Sequence, residues 1–231
     1  GRVPQTWTPV RPLNRFAAQA ISATALHCPV PSETDGPNQS TLIRVIAARD
    51  GELWTEALTL PAKIEAGHIV CDLERDLLKL VVLNRYQPNA KPAVAFIQGF
   101  GLVQGAMAGS VAHDSHNIVA VGCDDASLAQ AINRVIDSSG GLCAVAAKAE
   151  RHLALPIAGL MSDAPGELVA EGYEELDRFA KDVLGSALCA PFMTLSFMAL
   201  LVIPELKLSD LGLFDGREFR FVSLLGEPAT A

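Results

Sequence analysis

Residues 96 to 122 constrain the fold of this chain more than any other stretch. They read FIQGFGLVQGAMAGSVAHDSHNIVAVG, with Gly99, Gly101, Gly105 and Gly109 falling within eleven residues. A glycine inside a regular element costs about 0.5–1 kcal/mol relative to alanine, so this density points to turns or to close approach of two backbones. The same stretch holds a solid polar run, His113, Asp114, Ser115, His116 and Asn117, flanked on both sides by apolar, strand-like residues. Polar groups at the end of a buried strand either satisfy one another or face a site. Asp, Ser and Asn are also ordinary turn formers, and a surface strand–turn–strand with two histidines reads the same way.

Around this stretch the pattern is mostly strands with a few helices between them. Strand signals fall at 42–46, 53–58, 77–85, 93–97, 107–112, 118–121, 142–146 and 219–224, with Asp50-Gly51 as a hairpin turn. Leu128, Ala131, Ile132, Val135 and Ile136 repeat at helical spacing after Asp124, a good N-cap, and Gly140-Gly141 supplies the stop. A second helix is expected over 166–184, with Leu168, Val169, Leu176, Phe179, Ala180 and Val183 as its apolar stripe and Gly185 at its end. Ser162 and Asp163 suit its cap. The run from Phe192 to Pro204 reads as one buried core element, too short for the roughly 20 residues that span a bilayer. The class is α+β: mixed sheet partly covered by helices, with no (β/α)8 barrel. Residues 1–40, broken by Pro4, Pro9, Pro12, Pro29, Pro31 and Pro37, read as a connector in which 15–26 forms a short helix or strand. Residues 41–226 read as the domain and 227–231 as a frayed tail.

A net charge of -8 repels phosphate backbones, which argues against a nucleic-acid partner. Cys28, Cys71, Cys123, Cys143 and Cys189 are odd in number and form no CxxC pair, so they read as small buried side chains in a reducing cytoplasm. No apolar run follows a basic start, so no signal peptide is expected. The chain opens on Gly1-Arg2-Val3-Pro4 without a methionine; processing, tag removal or excision from a longer protein each give such a start.

The polar run does not read as a complete active site. His113 and His116 are three apart, and only His27, His68 and His152 remain elsewhere, whereas a hydrolytic metal site needs three or more protein ligands. There is no HExxH, no HxE with a downstream PCxxC, and no GxSxG elbow for Ser115. GFGLVQG lacks the Lys-Ser/Thr of a phosphate-binding loop. Lys79 and Arg85 interrupt an apolar strand and are read as a solvated face, with pairing to nearby carboxylates as the alternative. Glu205 is read as a solvated carboxylate.

GFGLVQGAMAGSVAHDSHNIVAVG resembles the signature of the C-terminal domain of bacterial adenine deaminases. Two further blocks, LPIAGLMSD (155–163) and PFMTLSFMALLVIPELKLSDLGLFD (191–215), and the strand RDLLKLVVLNRY (75–86) resemble the same family in the same order. This chain departs from the pattern at Val103-Gln104, where the family often has a basic pair, and at Gly109, where a serine is common.

The resemblance implies a place in a longer amidohydrolase, behind a metal-bearing (β/α)8 barrel and a small β-domain, that converts adenine and water to hypoxanthine and ammonia. A divalent metal (Mn, Fe or Zn) in the barrel would activate the attacking water and a carboxylate would shuttle protons. The barrel's ligands begin with HxH, which this chain lacks; the metal is therefore expected in the barrel and none in this chain. By this resemblance His113, Asp114, Ser115, His116 and Asn117 are the candidates that face the active site, with Asp114 or His116 bonding the purine edge or a residue behind the metal. Ser115 and Asn117 would hold the loop's shape, and Gly99, Gly101 and Gly105 would shape the glycine-rich loop. No catalytic residue is assigned in this chain, which alone is expected to be inactive. Its implied partners are adenine and the catalytic barrel, with homo-oligomerisation left open and no membrane contact. The alternative is a stand-alone, non-catalytic module that binds a purine or mediates oligomerisation.

Overall fold

The computed structural model describes residues 13–30 and 41–226. Its strands are β1 (Leu42–Ala48), β2 (Thr55–Pro61), β3 (Lys63–Glu65), β4 (His68–Val70), β5 (Leu78–Leu83), β6 (Ala93–Gln98), β7 (Ala106–Gly109) and β8 (Ile118–Gly122). Helix α1 (Asp125–Asp137) follows, then β9 (Gly141–Ala146), β10 (Ala149–Ala154), α2 (Gly166–Asp182) and α3 (Pro191–Phe197). A hairpin of β11 (Leu206–Ser209) and β12 (Gly212–Asp215) and the short β13 (Arg220–Phe221) complete the order.

Eight strands form one mixed sheet in the order β10-β9-β7-β8-β5-β6-β1-β2. Every neighbouring pair is antiparallel except β1 and β6. The sheet is open, as the α+β expectation requires. Its central strands are buried on both faces, so the period-2 alternation sorts one apolar residue from the next rather than apolar from polar. On one face Val81, Leu83, Ala106, Ala108, Ile118 and Ala120 pack against α1. On the other, Leu80, Val82, Met107, Val119 and Val121 pack against α2, α3 and the β11–β12 hairpin.

Helix α1 starts where the sequence places it. Asp124 caps it, its Oδ1 accepting the Ser127 amide at 2.7 Å. It stops one turn before the glycine pair. Ser139 takes the left-handed conformation (φ 54°), and a side chain on Gly140 or Gly141 would overlap the backbone of Gly159 or Leu153. Those glycines serve close packing.

Several expectations are corrected. The connection between β1 and β2 is six residues, 49–54, and β2 begins at Thr55 rather than Leu53; only Gly51 of the Asp50-Gly51 pair has positive φ. Of residues 15–26 only Ala23–Leu26 form a regular element, a short 3-10 helix. The strand expected over 107–112 is Ala106–Gly109, and the last strand shrinks from 219–224 to Arg220–Phe221. The 192–204 run is the short α3 followed by turns, with Met193 half exposed. Only the C-terminal part of the α2 stripe is buried; Leu168 is 57% exposed. Pro165, not Ser162 or Asp163, occupies the α2 N-cap, and Ser162 Oγ accepts only the Ala164 amide. Of the five cysteines, only Cys123 and Cys143 are buried, and Cys189 is exposed. The Pro4, Pro9, Pro12, Pro31 and Pro37 breaks and the frayed tail lie outside the described residues.

The charged residues depart furthest from expectation. Lys79, on β5, is 1% exposed and donates to Asp125 Oδ1 at 2.6 Å and the Leu26 carbonyl at 3.0 Å. Arg85 is 4% exposed with no carboxylate bonded to it among the described residues. Neither lies on a solvated face; burial against α1 and the N-terminal segment removes both from water. Glu205 is ion-paired to Arg217 and accepts the Ala57 amide, so it too is a structural group.

Candidate functional site

The polar run forms the connection between β7 and β8, at the end of the sheet where β7 leaves and β8 enters. Gly99, Gly101 and Gly105 lie on the connection into the other end of β7, because Ala106 pairs with Gly122 while Gly109 pairs with Val119. At about 3.4 Å per residue, four residues of strand separate the two loops. The glycines therefore shape a different surface from the histidines. All three have positive φ, and a side chain on Gly99 or Gly105 would overlap the carbonyl oxygen of Ala48 or Val145. Asp76 holds this loop, accepting the amides of Gly99 at 2.7 Å and Gly101 at 2.9 Å.

The 113–117 loop is built from its neighbours inward. His113 donates its amide to the Ser196 carbonyl of α3 at 2.9 Å, and its ring stacks on Phe197 with centroids 4.7 Å apart. The His116 amide closes the turn onto the Ala112 carbonyl at 2.7 Å, with His116 at φ 51°. Asn117 is buried, its Oδ1 accepting the Arg85 amide at 3.3 Å. Asp114 and Ser115 are exposed. The rings of His113 and His116 meet edge-on, with centroids 5.9 Å apart.

Burial, then the neighbouring His113 and Arg85, hold the His116 imidazole below its ordinary value, against the opposing pull of Asp114. His116 at neutral pH is thus a neutral ring. Its Nδ1 is buried without a hydrogen-bond partner. A neutral imidazole donates from one ring nitrogen and accepts at the other, so the loop carries a half-buried neutral ring next to one exposed carboxylate and one exposed hydroxyl.

Beneath the loop lies a layer that sequence reasoning missed. Arg85 Nη2 donates to the Tyr86 hydroxyl at 3.0 Å and the Ala158 carbonyl at 2.8 Å, and Tyr86 in turn donates to the Ser115 carbonyl at 2.9 Å. The guanidinium carbon sits 5.5 Å from the Phe16 ring centroid and 4.8 Å from that of Tyr86. An arginine followed by an aromatic residue at the end of a buried strand was the available signal. Buried Ser110 is a second such residue, donating to the Gly159 carbonyl at 2.6 Å and accepting the Gly141 amide at 2.8 Å.

Beside the loop opens a cleft of about 490 Å³ lined by Val111, Leu155, Val169, Tyr173, Phe192 and Ser196, among others. It is mostly apolar, and burial raises the Tyr173 hydroxyl above its ordinary pKa. Among the described residues, no three His, Cys, Asp or Glu side chains converge to hold a metal ion. Among the described residues His113 and His116 therefore lack the further ligands that a hydrolytic metal requires. Among the described residues no helix is long and apolar enough to cross a membrane.

Residues 52–220 match the family model described as adenine deaminase C-terminal domain. An adenine deaminase of Salinibacter ruber is 50% identical over 210 residues, covering 91% of this chain and 37% of that protein. One from Methanosarcina acetivorans is 48% identical over 217 residues, covering 93% of this chain and 39% of that protein. One from a Sulfurovum species is 62% identical over 148 residues, covering 64% of this chain and 28% of that protein. The chain thus spans between a quarter and two fifths of the length of these relatives. With the family model matched over most of its length, the chain belongs to the adenine deaminase C-terminal domain family.

Proposed function

We propose that this chain works as the C-terminal domain of an adenine deaminase, converting adenine and water to hypoxanthine and ammonia, and that its 113–117 loop helps to close the active site of a metal-bearing barrel. The observation that carries this reading is the tip of that loop. Asp114 and Ser115 are exposed and His116 is held neutral, yet the backbone beneath them is fixed to α3 and to Tyr86. A fixed frame with unspent polar groups suits recognition of a polar heterocycle.

In this reading His116 or Asp114 bonds the purine edge or orients a group that does, and Asn117 and Ser115 keep the loop in shape. The metal and its water chemistry belong to the part of the relatives that this chain does not span. The domain on its own is inactive and resides in the cytoplasm with the rest of the enzyme.

Replacing His116 with Ala in the longer protein tests this. A loss of kcat/KM for adenine of about tenfold or more, the loss of one hydrogen bond to a charged or polarised group, is expected. Unchanged kcat/KM sinks the loop's role. A second reading, a non-catalytic purine-binding module, is favoured by the cleft beside the loop; saturable adenine binding by the 231-residue chain would support it.

A further inference from the structure

Arg85 is the most deeply buried charge near the loop, and no carboxylate balances it among the described residues. Its Nε and Nη1 are buried without hydrogen-bond partners. Burying a guanidinium in this way is costly, so the side chain that stays there is held by something specific. Three contacts hold it. Its plane lies near the faces of Phe16 and Tyr86. Its Nη2 grips the Ala158 carbonyl. Gly159 makes room for Nη1, since a side chain at that position would overlap it. The backbone is fixed as well: its carbonyl accepts the Ala17 and Ala18 amides, and its amide reaches Asn117.

The direction of the hydrogen bonds matters. The guanidinium can only donate, so the Tyr86 oxygen accepts from it and turns its own proton toward Ser115. A donor polarised by a cation behind it bonds more strongly than an isolated phenol. The relay ends on the backbone of Ser115, one residue before His116.

We propose that Arg85 and Tyr86 are the positioning residues of the 113–117 loop, their guanidinium–hydroxyl–carbonyl relay fixing where the loop presents the His116 imidazole. The proposal deepens the functional reading and rests on it only for its consequence in catalysis. The titratable and charged groups facing His116 are Arg85 from beyond the end of β5 and His113 and Asp114 from its own loop. Removing Arg85 deletes a positive neighbour and the polariser of the strut together.

The test uses the 231-residue chain and NMR. In Tyr86→Phe the strut to Ser115 is lost while the fold is kept. The His116 amide, which donates to Ala112, is expected to exchange about five- to tenfold faster, the loss of roughly one hydrogen bond. In Arg85→Gln the His116 titration midpoint rises while burial, the larger cause, still holds it below the ordinary histidine value; in Arg85→Lys, which keeps the charge, it does not rise. A merely structural role would not separate Gln from Lys in that way. Unchanged His116 exchange in Tyr86→Phe, or equal midpoints in folded Arg85→Gln and wild type, overturns the proposal. If Arg85→Gln does not fold, the Tyr86→Phe exchange decides alone. In the longer protein, Tyr86→Phe should lower kcat/KM for adenine less than His116→Ala does. An intact kcat/KM in His116→Ala alongside faster exchange in Tyr86→Phe would defeat the functional reading and leave the positioning role standing.

Discussion

Lys79 and Asp125 meet at 2.6 Å beneath the N-terminal turn of α1, with the lysine side chain 2% exposed and the carboxylate 20% exposed. They come from a central strand and from the first residue of a helix, 46 positions apart in the chain. The pair therefore fixes α1 to the sheet at a defined register. A buried ion pair adds little net stability over an apolar pair, but removing one partner strands the other. Asp125→Ala is expected to destabilise the chain by about 3 kcal/mol, read by urea unfolding at neutral pH. A change within about 0.5 kcal/mol, the range of ordinary surface substitutions, would show that Lys79 is satisfied without the carboxylate.

Lys207 is the opposite case, a buried ammonium with no acid bonded to it among the described residues. Its Nζ donates to the Leu53 carbonyl at 2.7 Å, and burial alone lowers its pKa to about 8. Between about pH 8 and the unfolded value near 10.4 the unfolded chain holds the extra proton, so stability rises with pH across this window. The cost of charging Lys207 is fully present below pH 8 and relieved above the window. Lys207→Met should stabilise the chain at pH 7 by about 1–2 kcal/mol, after the loss of the bond to Leu53 is counted. By pH 10 that advantage should shrink. An advantage equal at pH 7 and pH 10 would contradict the shifted titration.

Gly105 is left-handed at φ 71°, with the Val145 carbonyl oxygen where a side chain would sit. Both conformation and space therefore exclude alanine. Gly105→Ala should cost about 3 kcal/mol, a fall in Tm of roughly 6–12 °C for a domain of this size. Gly51, equally left-handed at φ 72° but with open space around it, provides the control, and its alanine variant should lose only about 1 kcal/mol. Similar losses at both positions would mean that the close approach to Val145 contributes nothing.

The sequence revealed those features that depend on neighbours along the chain. Asp124 and the 3.6-residue apolar spacing disclosed α1, and the density of glycines disclosed backbones packed too closely for side chains. Features set by distant partners stayed hidden. Whether Lys79 meets water or Asp125 depends on a helix that begins 46 residues later, and Arg85 is covered by Phe16 from the opposite direction. The β11–β12 hairpin was assigned no element, although Leu206-Lys207-Leu208-Ser209 alternates and a turn precedes Gly212. Of the candidate site, the loop itself was legible because its residues are consecutive. Its supports were not: Ser196, Tyr86 and Arg85 reach it from two other parts of the chain.

The ends of the described domain close on each other. Arg44 on β1 donates its amide to the Leu224 carbonyl, its guanidinium reaches the Ser223 carbonyl 179 residues away, and the Gly226 amide returns to Leu42. Thr55 at the start of β2 likewise exchanges backbone bonds with Pro204 and Glu205. An early strand pair thus waits for a much later segment before its contacts are complete. Such pairings carry a large closure entropy and a high contact order. During synthesis the contacts that β1 and β2 make with residues 204–226 wait until that stretch has left the ribosome, so the first strands made are completed by chain that emerges about 150 residues or more after them.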